Sequence, residues 1–160
     1  MILIEGIENA VTAMEVYYND FAGLGKSTIV LGGGLVGCEA AADYIDHGVE
    51  MKGALMPETT GLYRTAVHDF IDKNGGKYEV NAKVIKVGKD FVVAEQNGTE
   101  ITIKADSVVN AMGRRAHATE ALEAAIKEAG IPVWKIGDCV RARQIGDAVR
   151  EGWTAAMEII

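Results

Sequence analysis

Two hydrophobic periods follow one another along this chain, and the switch between them organises it. Residues 1–26 carry a single helical pattern: Asn9 is a fit N-cap, Val11, Met14, Val16 and Tyr18 form an imperfect apolar face, and Gly23 and Gly25 stop it. Ser27 to Leu31 is a short β-branched run broken by Gly32-Gly33-Gly34, the pattern of a strand buried on both faces of a parallel sheet. Leu35 to His47 predicts a helix, small and apolar through Ala40, Ala41 and Ala42, with Gly48 as its C-cap. Val49 to Met56 predicts a second strand, interrupted by Glu50 and Lys52 and ended by Pro57. Thr60 opens a further helix with Leu62, Tyr63, Val67, Phe70 and Ile71 at helical spacing, stopped by Gly75-Gly76.

The period then shortens. Tyr78–Val80, Lys83–Val87, Phe91–Glu95 and Glu100–Lys104 read as short strands, joined by Gly88-Lys89-Asp90 and by Gln96-Asn97-Gly98-Thr99, where Asn-Gly is a strong hairpin signal. Asp106 to Met112 is another apolar strand ending at Gly113. Thr119 to Ala129 is a helix with a cap at Thr119 and a stop at Gly130, Val133 to Ile136 a last strand, and Val140 to Ile160 mostly helix. Strand–helix alternation interrupted by a meander predicts a Rossmann-like, three-layer α/β domain with a parallel sheet and an antiparallel β-meander.

Composition narrows the function more than the fold. Nineteen of 160 residues are glycine and only two are proline, so the glycines are expected at tight turns rather than in low-complexity tracts. A net charge of −7 argues against a nucleic-acid partner. No apolar run is long enough to span a membrane. Cys38 and Cys139 are far apart and outside any C-x-x-C, so neither a disulfide framework nor a metal site is indicated, and a reducing, cytoplasmic setting is expected.

The chemistry lies in Gly32-x-Gly34-x-x-Gly37, directly after a strand and opening a helix in a β-α-β unit. Gly32 suits the tight turn, Gly34 the approach of a pyrophosphate, and Gly37 close packing of helix on strand. The amides from Gly33 through Leu35 and Val36 then face the anion at the positive end of the helix. An acidic residue at the end of the next strand would hold a ribose, but that position carries Leu55 and Met56; Glu50 falls too early and Glu58 lies past Pro57. Nor does an arginine pair follow the strand, so NADH and NADPH are not told apart. Gly25-Lys26-Ser27 imitates a Walker loop but precedes a strand, and Asp20 stands where its first glycine belongs. His47, His68 and His117 lack ligand spacing. Arg114-Arg115 is either a solvated pair or a contact to a phosphate or a neighbouring domain.

Four stretches, in this order and spacing, carry a resemblance: Ile29 to Glu39, Ala105 to Arg114, Ile136 to Cys139, and Ile145 to Gly152. Together they make the chain resemble the pyridine-nucleotide-disulfide oxidoreductase superfamily, in particular the C-terminal NAD(P)H- and FAD-binding part of the 2,4-dienoyl-CoA reductase, enoate reductase and NADH:flavin oxidoreductase group. The resemblance implies three segments: residues 1–26 leading in from the FAD-domain side, 27–114 as an NAD(P)H-binding domain, and 115–160 as the returning half of an FAD-binding domain. It implies that Glu39 lies near the nicotinamide side, that Gly113 belongs to the cofactor-binding set, and that Asp138 faces the ribityl chain of a flavin. It implies as partners the other half of the FAD domain and a flavin and iron–sulfur barrel, neither of which the sequence contains.

The expected function is therefore an NAD(P)H-binding module of a flavoprotein oxidoreductase, presenting the nucleotide for hydride transfer to FAD in the complete protein. A standalone dinucleotide-binding or sensing domain without turnover is the alternative. In both, the isolated chain is expected to be inactive, and the apolar surface from Val133 to Cys139 with Ile145, Val149 and Trp153 to be bare or to self-associate.

Overall fold

The structure, a computed structural model, describes residues 4–44, 47–49, 53–57 and 59–159. Its strands are β1 Val11–Thr12, β2 Thr28–Leu31, β3 His47–Val49, β4 Lys77–Glu79, β5 Ala82–Val87, β6 Phe91–Gln96, β7 Thr99–Lys104 and β8 Ser107–Asn110. Its helices are α1 Ala13–Tyr18, α2 Leu35–Tyr44, α3 Gly61–Lys73, α4 Glu120–Glu128 and α5 Ile145–Ile159. By internal contacts the chain divides into two compact units, Met1–Met112 and Gly113–Ile160.

The first unit is the Rossmann-like three-layer α/β architecture expected from the sequence. Five parallel strands run in the order β1-β8-β2-β3-β4, and β5-β6-β7 form a separate antiparallel meander. The two-residue period of a strand distributes β2 between the layers. Ile29 and Leu31, with Val108 of β8, pack against Val84, Val87, Val92 and Ala94 of the meander. Val30 and Val109 point the other way, onto Ala13 and Val16 of α1 and Ala41 of α2. All four residues of β2 are buried, as a strand covered on both faces must be. A third cluster, Cys38, Leu55, Met56, Val67 and Ile71, joins α2 to α3.

Local chemistry accounts for the turns. Asn97 (φ 52°) and Gly98 (φ 76°) link the directly paired Gln96 and Thr99, the two-residue hairpin that Asn-Gly predicts. The leading residues join the same unit: Glu5 O accepts from Val87 N, and Lys86 Nζ reaches Glu5 at 2.7 Å.

Several expected boundaries moved. Asn9 does not cap the first helix; its Nδ2 donates to Val87 O, and Thr12 caps α1 in a reciprocal box with Glu15. Thr12 N and Oγ1 donate to Glu15 Oε2 at 2.8 and 2.7 Å, while Glu15 N donates back to Thr12 Oγ1 at 3.2 Å. Of the expected apolar face only Val16 is buried, alongside Ala13. A Thr12→Ala chain is expected to lose about 1 kcal/mol of stability; an unchanged urea midpoint would show the box to be idle.

His47 and Gly48 stand in β3, not at a helix end, because parallel pairing with Ile29 and Val30 claims them for the sheet. Tyr78 belongs to β4, which pairs parallel with β3 instead of opening the meander. In α3 only Val67 and Ile71 of the expected face are buried. In the second unit Val133 to Ile136 run outside any strand: among the described residues Gly113–Ile160 offer them no strand to pair with. Thr119 stands at the N-cap of α4, but its hydroxyl donates to Glu123 Oε1 instead of capping the backbone.

Candidate functional site

The three motif glycines are glycines for different reasons. Gly32, at φ +98°, ends β2, and a Cβ there would stand 2.8 Å from Ala111 O. At Gly37, on α2, a Cβ would fall 1.7 Å from Gly32 O, so helix and loop touch backbone to backbone. Gly34 is neither left-handed nor crowded: a Cβ there meets nothing within 4 Å. The fold excludes side chains at Gly32 and Gly37 and tolerates one at Gly34.

Around Gly34 the first turn of α2 closes with Cys38 N donating to Gly34 O at 3.0 Å. The amides of Leu35, Val36 and Gly37 precede any intrahelical acceptor and carry the positive end of the helix dipole. Leu35 is half-buried and Val36 exposed. Gly33 is buried, and its carbonyl accepts from Met56 N at 2.7 Å and Cys38 Sγ at 3.4 Å.

One turn further along α2, Glu39 accepts a 2.7 Å hydrogen bond from Tyr63 Oη of α3. That bond is the main reason the Tyr63 hydroxyl titrates above its ordinary value, with desolvation second. Tyr17 of α1 is raised mainly by burial and then by the nearby Asp43. Glu39 and Asp43 thus share one face of α2 beneath tyrosines from two neighbouring helices. Sequence reasoning counted Tyr63 only among the residues at helical spacing and did not single out Tyr17; the Tyr63 ring lies at the surface.

The strand after α2, β3, is described over His47–Val49, and Leu55 and Met56 lie outside any strand, in a buried bend with Met56 wholly covered. Their apolar character reflects packing in the α2–α3 cluster and says nothing about a missing ribose ligand. Glu50, next in sequence after Val49, lies outside the described residues, as do Lys52 and Glu58.

In the second unit Gly113 is left-handed (φ +86°) with open space where a Cβ would be. Arg114 pairs with Asp138 at 3.5 Å, so it is not one of a purely solvated pair. Gly137, also left-handed (φ +63°), is buried and donates its amide to Glu151 Oε2 at 2.6 Å; the same carboxylate binds the Arg143 guanidinium. Asp138 Oδ1 accepts from Arg143 N at 3.3 Å. Glu151 thereby clamps the turn that carries Asp138. Nothing in the sequence signals that Gly137 and Glu151 touch.

The Arg143 hydrogen bond and then the Gly137 amide hold the Glu151 carboxyl below its ordinary value of 4.5. A carboxyl lowered in the folded state stabilises above its unfolded value and loses that contribution as pH falls through the folded one. The clamp is thus intact at neutral pH and released in acid, below about 4.5. Trp134 and Trp153 both lie in this unit, so their fluorescence should show an acid transition that Glu151→Gln largely abolishes. A transition of equal size in the variant would assign it to other carboxylates.

Among the described residues no three His, Cys, Asp or Glu side chains gather as a metal site, and no helix is long and apolar enough to cross a membrane. Comparison with known proteins places these features. The family model "pyridine nucleotide-disulphide oxidoreductase" matches residues 4–152. A bilirubin reductase of Mediterraneibacter gnavus is 31% identical over 134 residues, 80% of this chain and 21% of that protein. An NADH oxidase of Thermoanaerobacter brockii is 30% identical over 140 residues, 84% of this chain and again 21% of the relative. Among solved structures, a 2-naphthoyl-CoA reductase bound to 2-naphthoyl-CoA superposes with a TM-score of 0.76 at 25% identity, covering 94% of this chain and 24% of that one. The chain spans about a fifth of the length of these curated relatives, both oxidoreductases by name. On the match from residue 4 to residue 152, this chain belongs to the pyridine nucleotide-disulphide oxidoreductase family.

Proposed function

We propose that the chain is the NAD(P)H-binding module of a flavin-dependent oxidoreductase. Gly34 carries this reading: it is a glycine that neither backbone angle nor internal packing requires. A side chain there would intrude only on something outside the chain, which is where a pyrophosphate approaches such a loop. Gly32 and Gly37 shape the turn; the amides of Gly33, Leu35 and Val36 supply donors to the anion at the helix N-terminus. Glu39, already held by Tyr63 Oη, keeps acceptor capacity for a donor on the nicotinamide side. When bound, the nicotinamide would supply a hydride and the flavin would accept it.

On this reading Gly113 closes the NAD(P)H-binding segment and belongs to its cofactor-binding set, while Asp138 serves the flavin side, in the returning half of an FAD domain. The partners are the other half of that domain and a barrel carrying flavin and an iron–sulfur centre. On α5, Ile145 (85% exposed), Val149 (67%) and Trp153 (71%) recur every fourth residue, an apolar stripe of the kind a partner segment covers.

Calorimetric titration of the full chain with NADH, NADPH and ADP-ribose tests the proposal. Saturable binding of ADP-ribose and at least one reduced nucleotide is expected. Absence of all three isotherms would refute the module. Nucleotide binding that flavin addition leaves uncoupled, with the parent gene encoding no flavin-bearing segment, would favour a dinucleotide-sensing domain without turnover.

A further inference from the structure

The Gly33 carbonyl is gripped from inside the protein. Its two donors, Met56 N and Cys38 Sγ, belong to residues with 0% and 2% exposure. Met56 makes its bond from a left-handed backbone, φ 47°, which side-chain-bearing residues other than Asn and Asp seldom adopt. The surroundings over-determine it. Its side chain is locked in the cluster with Cys38, Leu55, Val67 and Ile71, and Thr59 N donates to its carbonyl at 3.1 Å. Strain held in this way next to a candidate ligand loop calls for a role.

Peptide geometry supplies one. In a trans peptide the C=O and the following N–H share a plane and point in opposite directions, and among the described residues no peptide bond is cis. A Gly33 carbonyl turned inward to Met56 and Cys38 therefore turns the Gly34 N–H outward, away from the cluster. Among the described residues the Gly34 amide has no backbone acceptor of its own. We propose that Met56, assisted by Cys38, is a positioning residue that fixes the Gly33–Gly34 peptide plane and presents the Gly34 amide to a dinucleotide pyrophosphate before the ligand arrives. The inference rests on the dinucleotide-binding reading and adds to it the device that preorganises the loop. It also explains why an apolar bend returns to the glycine loop at all: its backbone contributes a hydrogen bond where its side chains contribute only packing.

Amide-resolved NMR on the uniformly 15N-labelled full chain, with ADP-ribose as ligand, tests this. In the free chain the Gly34 amide should exchange with solvent at least about 100-fold faster than the Met56 amide. At saturation the Gly34 resonance should shift strongly while that of Met56 stays in place. Met56→Gly, which keeps the N–H and relieves the left-handed backbone, should bind ADP-ribose within about threefold of the parent. Met56→Pro, which deletes the N–H and, with φ fixed near −65°, also gives up the left-handed bend that aims it, should weaken binding about tenfold or more. Equal protection of Gly34 and Met56 in the free chain would overturn the proposal. So would an unmoved Gly34 resonance while other loop resonances saturate. Equal binding by the two Met56 variants would also overturn it. If Met56→Pro does not fold, the exchange comparison in the parent chain decides alone. No resonance responding to ADP-ribose would overturn the dinucleotide reading itself, and the positioning role with it.

Discussion

A Gly34→Val chain should keep its fold and lose its nucleotide. The structure leaves open space where the new Cβ would stand, and the backbone at Gly34 lies outside the left-handed region, so melting temperature and circular dichroism should barely change. The isopropyl group would project into the path of the pyrophosphate. Affinity for NADH and for ADP-ribose should fall at least about 100-fold, roughly 2.7 kcal/mol. Gly37→Ala is the converse. A Cβ 1.7 Å from Gly32 O cannot be accommodated without separating α2 from the loop, and because the clash is with backbone the loss should exceed the roughly 1–3 kcal/mol of ordinary overpacking. Parental affinity in Gly34→Val would remove the main support for the pyrophosphate site. An undisturbed Gly37→Ala chain would mean that helix and loop pack less closely than described.

The purified 160-residue chain should be colourless and should show no steady-state NADH-driven dye reduction. A flavin dinucleotide needs its own pyrophosphate loop, and this chain has one such motif, which the proposed function gives to the nicotinamide nucleotide. On the proposed reading one carboxylate, Asp138, is left to the flavin side, and it is already engaged by Arg114 and by the Arg143 amide. One charged hydrogen bond contributes roughly 1.5–3 kcal/mol, whereas a cofactor that survives purification at nanomolar affinity needs about 12 kcal/mol. Stoichiometric FAD in the purified chain, seen as yellow absorbance with quenching of Trp134 or Trp153, would overturn this reasoning.

What could be read from sequence, and what could not, follows from how local each determinant is. The glycine loop was legible because its requirements are met within a few residues: a buried β-branched run, a left-handed Gly32, and a Gly37 that touches Gly32. The Asn97-Gly98 hairpin was legible for the same reason. The bend at residues 53–56 was not, because an apolar run reads alike in a strand and in a packed bend, and only the tertiary cluster of Leu55 and Met56 with Cys38, Val67 and Ile71 decides between them. That ambiguity alone made Leu55 and Met56 look like a vacant ribose position. Thr12 was a different failure. Thr12-x-x-Glu15 is a readable capping box, and attention to Asn9 hid it. The clamp by Glu151 on Gly137 joins residues 14 apart in sequence through an irregular turn, and no periodicity reports such a contact.

The strand order sets a timetable for assembly. β8, the last strand in sequence, lies between β1 and β2, so the middle of the sheet stays open until residues 107–110 arrive. The meander needs only neighbouring hairpins and can form on the microsecond scale, whereas β2, which finds β3 close by, must wait for its other neighbour, β8, 79 residues away in sequence, Ser107 against Thr28. The glycine turn inherits that delay. Ala111 N bonds Leu31 O at 2.8 Å, and Gly32 packs directly against Ala111, so the loop takes its shape only once β8 has docked. In a refolding experiment, competence to bind ADP-ribose should therefore rise with the slow, non-local phase, after the hairpin signal is complete, and a nascent chain not yet extended past β8 should be blind to the nucleotide.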